Sequence, residues 1–168
     1  MATPTSLPAT FVAGNVLTAA QMNDLRGAFR ILQIVQATYS TAEATSSSSY
    51  VDTSLEATIT PSSATSKVFI LCNVSSYAAR TGTSTGIGEH AIERGGSQIY
   101  ESATTAYADA AESANRSMYV SATLSYLDSP ATTSATTYTL QHKISSSGTL
   151  TTFYNDYTGS LILMEVSA

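Results

Sequence analysis

The spacing of apolar residues changes at Gln33, and this change of period constrains the fold more than any other feature of the chain. Before it, Met22, Leu25, Phe29 and Leu32 recur at spacings of three, four and three, an a/d seam on one face of a helix. After it the period is two. Gln33-Ile34-Val35-Gln36-Ala37-Thr38-Tyr39 opens a strand with almost no linker. Leu55, Ala57 and Ile59 alternate with Glu56 and Thr58 until Pro61-Ser62-Ser63. Met118, Val120, Ala122, Leu124 and Tyr126 alternate until Leu127-Asp128-Ser129-Pro130, and Tyr138, Leu140, His142 and Ile144 lie opposite Thr139, Gln141 and Lys143. Successive strand side chains point to opposite faces, so each segment predicts a strand with one face buried.

The remaining segments fit the same plan. Lys67 to Tyr77 is almost continuously apolar, which suits burial on both faces. Ile87 to Arg94 and Ser97 to Tyr100 flank Gly95-Gly96, a two-residue hairpin signal. Ser145 to Gly148 turns the chain into Thr149 to Tyr154, and Ser160 to Val166 is the last strand. Thr41 to Ser49 reads as a flexible spacer, and residues 101–116 as a surface loop in preference to a short helix. Eight or nine strands with turn-rich connections and no βαβ alternation predict a mainly β chain. Its fold class is an antiparallel β-sandwich, jelly-roll-like, with a short N-terminal α-helix. The expected division is 1–32, an arm and anchoring helix, and 33–168, a β-sandwich knob.

Residues 1–10 carry two prolines and read as an extended arm. Thr18-Ala19-Ala20-Gln21 is a capping box, with Leu17 placed to staple onto Met22. About two heptads are too few for a stable isolated helix, so this one needs a surface. Its own β-domain, other copies of the chain and a neighbouring protein all qualify. Phe11, Val12, Leu17, Met22, Leu25, Phe29 and Leu32 are the candidate anchoring or oligomer-interface residues.

Composition narrows the function classes. Charged residues make up 11% of the chain, against about 25% in an ordinary soluble domain. Ser and Thr supply the surface polarity instead, and a weakly charged surface resists association less. A secreted or linker-rich protein would share this hydroxyl bias. The net charge is −5 with no basic stripe, so no nucleic-acid partner is expected. No segment approaches the roughly 20 apolar residues of a membrane span, so no membrane insertion is expected. Met1 to Ala9 lacks a signal peptide's charged and apolar regions, which predicts residence in the cytoplasm until release. The single cysteine, Cys72, lies in an apolar run and reads as a buried, inert thiol.

Catalytic patterns are missing from the sequence. There is no glycine-rich phosphate loop and no G-x-S-x-G elbow. His90 and His142 are far apart in sequence, and Glu89 and His90 fall on opposite faces of a strand, a poor geometry for a shared metal. Glu89, Glu93, Glu101, Asp109 and Glu112 read as scattered charges of solvated strands and loops, and His142 as a packing residue. The expectation is a non-enzyme with no catalytic residues, no metal site and no cofactor. Ten tyrosines accompany no tryptophan. Tyr77, Tyr100, Tyr107, Tyr154 and Tyr157 fall at strand ends or loops and are candidates for surface recognition, with ordinary edge packing as the alternative.

The segment Phe11-Val12-Ala13-Gly14-Asn15-Val16-Leu17-Thr18-Ala19-Ala20-Gln21-Met22-Asn23 resembles the N-terminal signature of bacteriophage minor tail and fibre-like virion proteins. Ile59-Thr60-Pro61 with Ser66-Lys67-Val68, Leu127-Asp128-Ser129-Pro130 and Leu163-Met164-Glu165-Val166 are similar to such proteins too. The resemblance implies a virion protein assembled in the host cytoplasm, with a trimeric knob. Its partners would be its own copies (a homotrimer) and a tail, baseplate or major capsid protein. One expectation is a tail appendage, meaning a short fibre, tail-tip or minor tail protein, whose knob meets a host-surface glycan or protein. A trimeric capsid decoration or cement (head-fibre) protein is the alternative, because the chain lacks the repetitive shaft of long fibres. A carbohydrate-binding β-module is a further alternative.

Overall fold

The computed structural model describes residues 31–80, 85–102, 106–108, 116–145 and 148–167, with 106–108 described by backbone alone. In chain order the strands are β1 (Ile31–Tyr39), β2 (Glu43–Thr45), β3 (Val51–Ile59), β4 (Lys67–Arg80), β5 (Gly86–Arg94), β6 (Ser97–Glu101), β7 (Ala106–Ala108), β8 (Arg116–Asp128), β9 (Thr136–Ser145), β10 (Thr149–Thr152) and β11 (Gly159–Val166). A 3-10 turn, Tyr154–Asp156, separates the last two.

The long strands run β1-β11-β4-β8 in one sheet and β3-β9-β5-β6 in the other. Every neighbouring pair is antiparallel. This is a jelly roll, the expected sandwich, with its first and last strands side by side. The short β10 and β2 extend the first sheet beside the far half of β4, and β7 pairs with β5 in the second.

The period-two segments bury the faces that their alternation predicts. Leu55 and Ile59 of β3, Val68, Ile70 and Cys72 of β4, Ile92 of β5, Leu124 of β8, Tyr138 and Leu140 of β9, and Leu161 and Leu163 of β11 form the main core between the sheets. Burial raises the Cys72 thiol to about 12, as an inert core cysteine requires. A smaller cluster holds Ala78, Ile144 and Leu150. At Gly95-Gly96, φ values of 55° and 88° turn β5 into β6, a backbone that glycine adopts freely.

Several local expectations are corrected. β1 begins at Ile31, not Gln33, so Leu32 belongs to a strand and not to the helical seam. Ile31 pairs with Val166 of β11, and this ladder extends the strand across the expected domain boundary. The Thr41–Ser49 spacer contains β2, held to β10 on one side and pinned by Glu43, whose carboxylate accepts from the Ser54 amide at 3.0 Å. Residues 106–108 within the expected loop form β7. β4 runs on to Arg80 and shields only its inner face fully, while Phe69, Leu71 and Tyr77 on the outer face are half-buried. Phe11, Val12, Leu17, Met22, Leu25 and Phe29 lie outside the described residues.

Candidate functional site

Strand alternation sends Phe69, Leu71, Asn73, Ser75 and Tyr77 of β4 to the outer face of the first sheet, opposite the buried row from Val68 to Ala78. The cross-strand register then divides that face into two halves. In one half, Ile34 of β1 stands opposite Met164 of β11, Met164 opposite Phe69, and Phe69 opposite Leu127 of β8. Ile34 is 59% exposed and Leu127 48%, so this apolar ladder meets solvent at both ends. Ile162 and Leu71 form the next row inward.

In the other half the pairs are Asn73 with Thr123, Ser75 with Ser121, and Tyr77 with Tyr119. The Thr123 hydroxyl donates to Asn73 Oδ1 at 2.6 Å. Beside them a tight loop connects β10 to β11, both of which pair with β4. Phe153, Asn155 and Asp156 in this loop all have φ near +55° to +58°, a region costly for residues with a Cβ and kept only where the surroundings enforce it. The enforcing contacts are specific. The Phe153 amide donates to the Ser75 carbonyl at 2.8 Å, and its ring is fully buried, edge-on to Tyr39 at 5.1 Å. Gly159 makes room for that ring, since a Cβ there would stand 2.5 Å from Phe153 Cε1.

The loop places Tyr154 against Tyr77, stacked at 4.5 Å and 22°. Tyr119 closes the group, 4.9 Å from Tyr77 and 5.3 Å from Tyr154. Its phenol holds its proton more firmly than usual, chiefly through a hydrogen bond with Tyr154. Tyr119 and Tyr157 are 66% and 65% exposed, far more than core aromatic residues. Between these rings and the β4/β8 floor lies a groove of about 480 Å³. Among the described residues no charged side chain lines it: the lining consists of hydroxyls, one amide, phenols and small apolar groups. Ser75 Oγ is buried in the lining and has no hydrogen-bond partner among the described residues.

Of the tyrosines singled out in the sequence, the structure brings Tyr77, Tyr154 and Tyr157 to this site. Tyr100 goes elsewhere: it stacks on Tyr126 at 5.2 Å and packs against the main core. Tyr107 lies in β7, where side chains are not described. Tyr119, which sequence reasoning passed over, is central. The signal was present in Tyr119, Ser121, Thr123 and Ser125, a strand face of hydroxyl-bearing residues alternating against the apolar row.

The histidines also lie differently from their sequence spacing. His90 and His142 are register partners on β5 and β9, both buried. They join Ser76 and Thr152 in a polar bridge between the two apolar clusters, with Ser76 Oγ and His90 Nε2 3.1 Å apart. Glu89 points outward, as alternation predicts, and meets Lys143 at 3.0 Å. Among the described residues no three His, Cys, Asp or Glu side chains are grouped to hold a metal ion.

No protein-family model matches the chain, and no curated protein matches it. Among solved structures it is similar to a chain in the structure of infectious bursal disease virus Gx strain, at 13% identity and a TM-score of 0.34. That alignment covers 96% of this chain and 42% of the other, so this chain spans less than half the length of its neighbour. The fold assignment rests on the strand order itself.

Proposed function

We propose that this chain is a non-enzymatic structural subunit of a bacteriophage particle, a homotrimeric tail appendage anchored by its N-terminal residues with the jelly roll facing outward. The observation that carries the reading is the ladder Ile34, Met164, Phe69 and Leu127 on an outer sheet face. A monomeric domain seldom leaves a large contiguous apolar patch open to water. In sequence, the amphipathic seam Met22, Leu25 and Phe29 immediately precedes β1, the strand that carries Ile34. The occupant of the patch in this reading is another copy of the chain. The ladder carries no charge, so copies can bury it against one another without desolvating ions, as the charge-poor centres of interfaces do.

Trimerism and the phage setting come from the resemblance of the 11–23 segment and its companion motifs. A seat on the capsid shell is favoured by one observation. β1 follows the seam at once, which leaves no shaft between the anchor and the sandwich. Counting copies per particle separates these placements, few for a tail appendage and many for a shell decoration.

The test of the anchor uses Leu25→Asp and Phe29→Asp, each of which puts a charge on the apolar seam. Both variants are expected to keep the β-domain folded and to be lost from assembled particles. Normal incorporation of both would contradict the reading.

A further inference from the structure

We propose that the groove between β4, β8 and the 153–158 loop is a binding site for an uncharged saccharide, with pyranose rings stacked on Tyr119 and Tyr157. This does not depend on how the chain assembles, because the groove occupies the opposite half of the sheet face from the apolar ladder.

The groove's chemistry selects the ligand class. An anionic ligand needs Arg or Lys within reach, and a cationic one needs carboxylates; among the described residues no charged side chain lines the groove. A purely apolar ligand would cover the hydroxyls of Ser75 and Ser121 without offering them partners, and would leave the Thr123–Asn73 pair with only its one mutual bond, which is costly once water is excluded. A sugar satisfies both requirements. Its hydroxyls both donate and accept, matching Ser, Thr and Asn groups of the same kind. Its ring C–H faces are apolar and suit the flat faces of phenols. The volume of about 480 Å³ falls within the roughly 300–1,000 Å³ range of small-molecule sites.

Two features set this groove apart from an ordinary tyrosine-rich surface. Ser75 Oγ lies buried in its lining with no hydrogen-bond partner among the described residues, a polar group of the kind that an ordered water or a bound hydroxyl satisfies. The loop that carries Tyr154 and Tyr157 is held in a strained backbone by the Phe153 anchor, so part of the aromatic wall is fixed in advance. A preformed wall reduces the ordering entropy that a ligand must overcome.

The test is an array of neutral gluco-, galacto- and manno-configured oligosaccharides, with sialylated and sulfated counterparts, probed with the full chain. Hits are then titrated by calorimetry. At least one neutral series is expected to bind in preference to its charged counterparts. Tyr157→Ala should weaken that binding by up to about tenfold, the scale of one aromatic contact. Tyr157→Phe should largely retain it, since the stacking face survives. Ser75→Ala should weaken it by a smaller factor. Tyr157 is mostly exposed, so its truncation leaves the fold intact, and an unchanged melting temperature verifies this. The proposal is overturned if no neutral sugar binds, if charged sugars bind better, or if binding is indifferent to Tyr157→Ala.

Discussion

His90 and His142 share one hydroxyl: His90 Nε2 lies 3.2 Å, and His142 Nδ1 2.8 Å, from Oγ1 of Thr152. The three side chains sit between the sheets with Ser76, and the arrangement places two imidazoles in a site that excludes water. Thr152→Val keeps the shape and removes the shared hydroxyl. It is expected to cost about 1–3 kcal/mol, the penalty for buried polar groups deprived of a partner. Equilibrium denaturation of the variant measures this, and an unchanged stability would show that the bridge contributes nothing.

The same pair makes the fold sensitive to mild acid. Burial, and then the proximity of His142, depress His90 from its ordinary 6.5 to about 3. Burial lowers His142 as well, against an opposing pull from the Glu43 carboxylate. The unfolded chain therefore binds protons that the folded chain refuses. Stability is at its full value above pH 6.5 and declines as the pH falls from 6.5 towards 3. Denaturant midpoints measured across this interval should fall steadily, and His90→Gln should flatten the decline. A flat profile in the unmodified chain would contradict the assignment of neutral, buried imidazoles.

Glu165 acts in a lower window. Its carboxylate is fully buried and accepts from the Ser62 amide at 2.8 Å, from Ser62 Oγ at 2.6 Å and from Gln33 Nε2 at 2.6 Å. Burial alone would raise it, but the hydrogen bonds of Ser62, Gln33 and Ser66 outweigh burial and hold it at about 2. A carboxylate lowered in this way stabilises the fold above its ordinary 4.5, and that contribution is lost between 4.5 and about 2. Glu165→Ala strands the donors that tie β11 to β1 and the Pro61 turn. A loss of about 1–3 kcal/mol at neutral pH is expected, together with a weaker acid dependence below 4.5. Thermal melts of the two proteins at pH 7 and pH 3 are the check.

Gly159 is required by packing. A methyl group there collides with the buried Phe153 ring, whose flanking loop carries Tyr154 and Tyr157. Gly159→Ala should destabilise the chain by about 1–3 kcal/mol, as overpacking of a dense core does. It should also disturb the Tyr77–Tyr154 stack, which near-ultraviolet circular dichroism reports. A variant indistinguishable from the parent on both counts would argue against this packing.

The sandwich was legible in the sequence because period-two alternation is a local signal, strong in β3, β8 and β9. The Gly95-Gly96 hairpin was legible for the same reason. The short β2 and β7 were not, since three residues carry no period and owe their pairing to neighbouring strands. Leu32 was misread because it continues the three-four spacing of Met22, Leu25 and Phe29 in the sequence, and the pairing of β1 with β11 on either side of it places it in a strand. The groove was half visible. Tyrosine excess pointed to Tyr77, Tyr154 and Tyr157, but only the β4–β8 register brings Tyr119 to them. The meeting of His90 with His142 likewise depends on β5–β9 pairing, which no spacing along the chain reveals.

The apolar ladder gives the proposed assembly its most direct test, the mass of the full chain in solution by sedimentation equilibrium. Unmodified protein is expected to sediment as a discrete trimer. The Ile34→Asp, Leu127→Asp double variant, with both changes at exposed ends of the ladder, should sediment as a folded monomer. A parent chain that is monomeric at high concentration, or a trimer indifferent to both charges, would contradict assembly through this face.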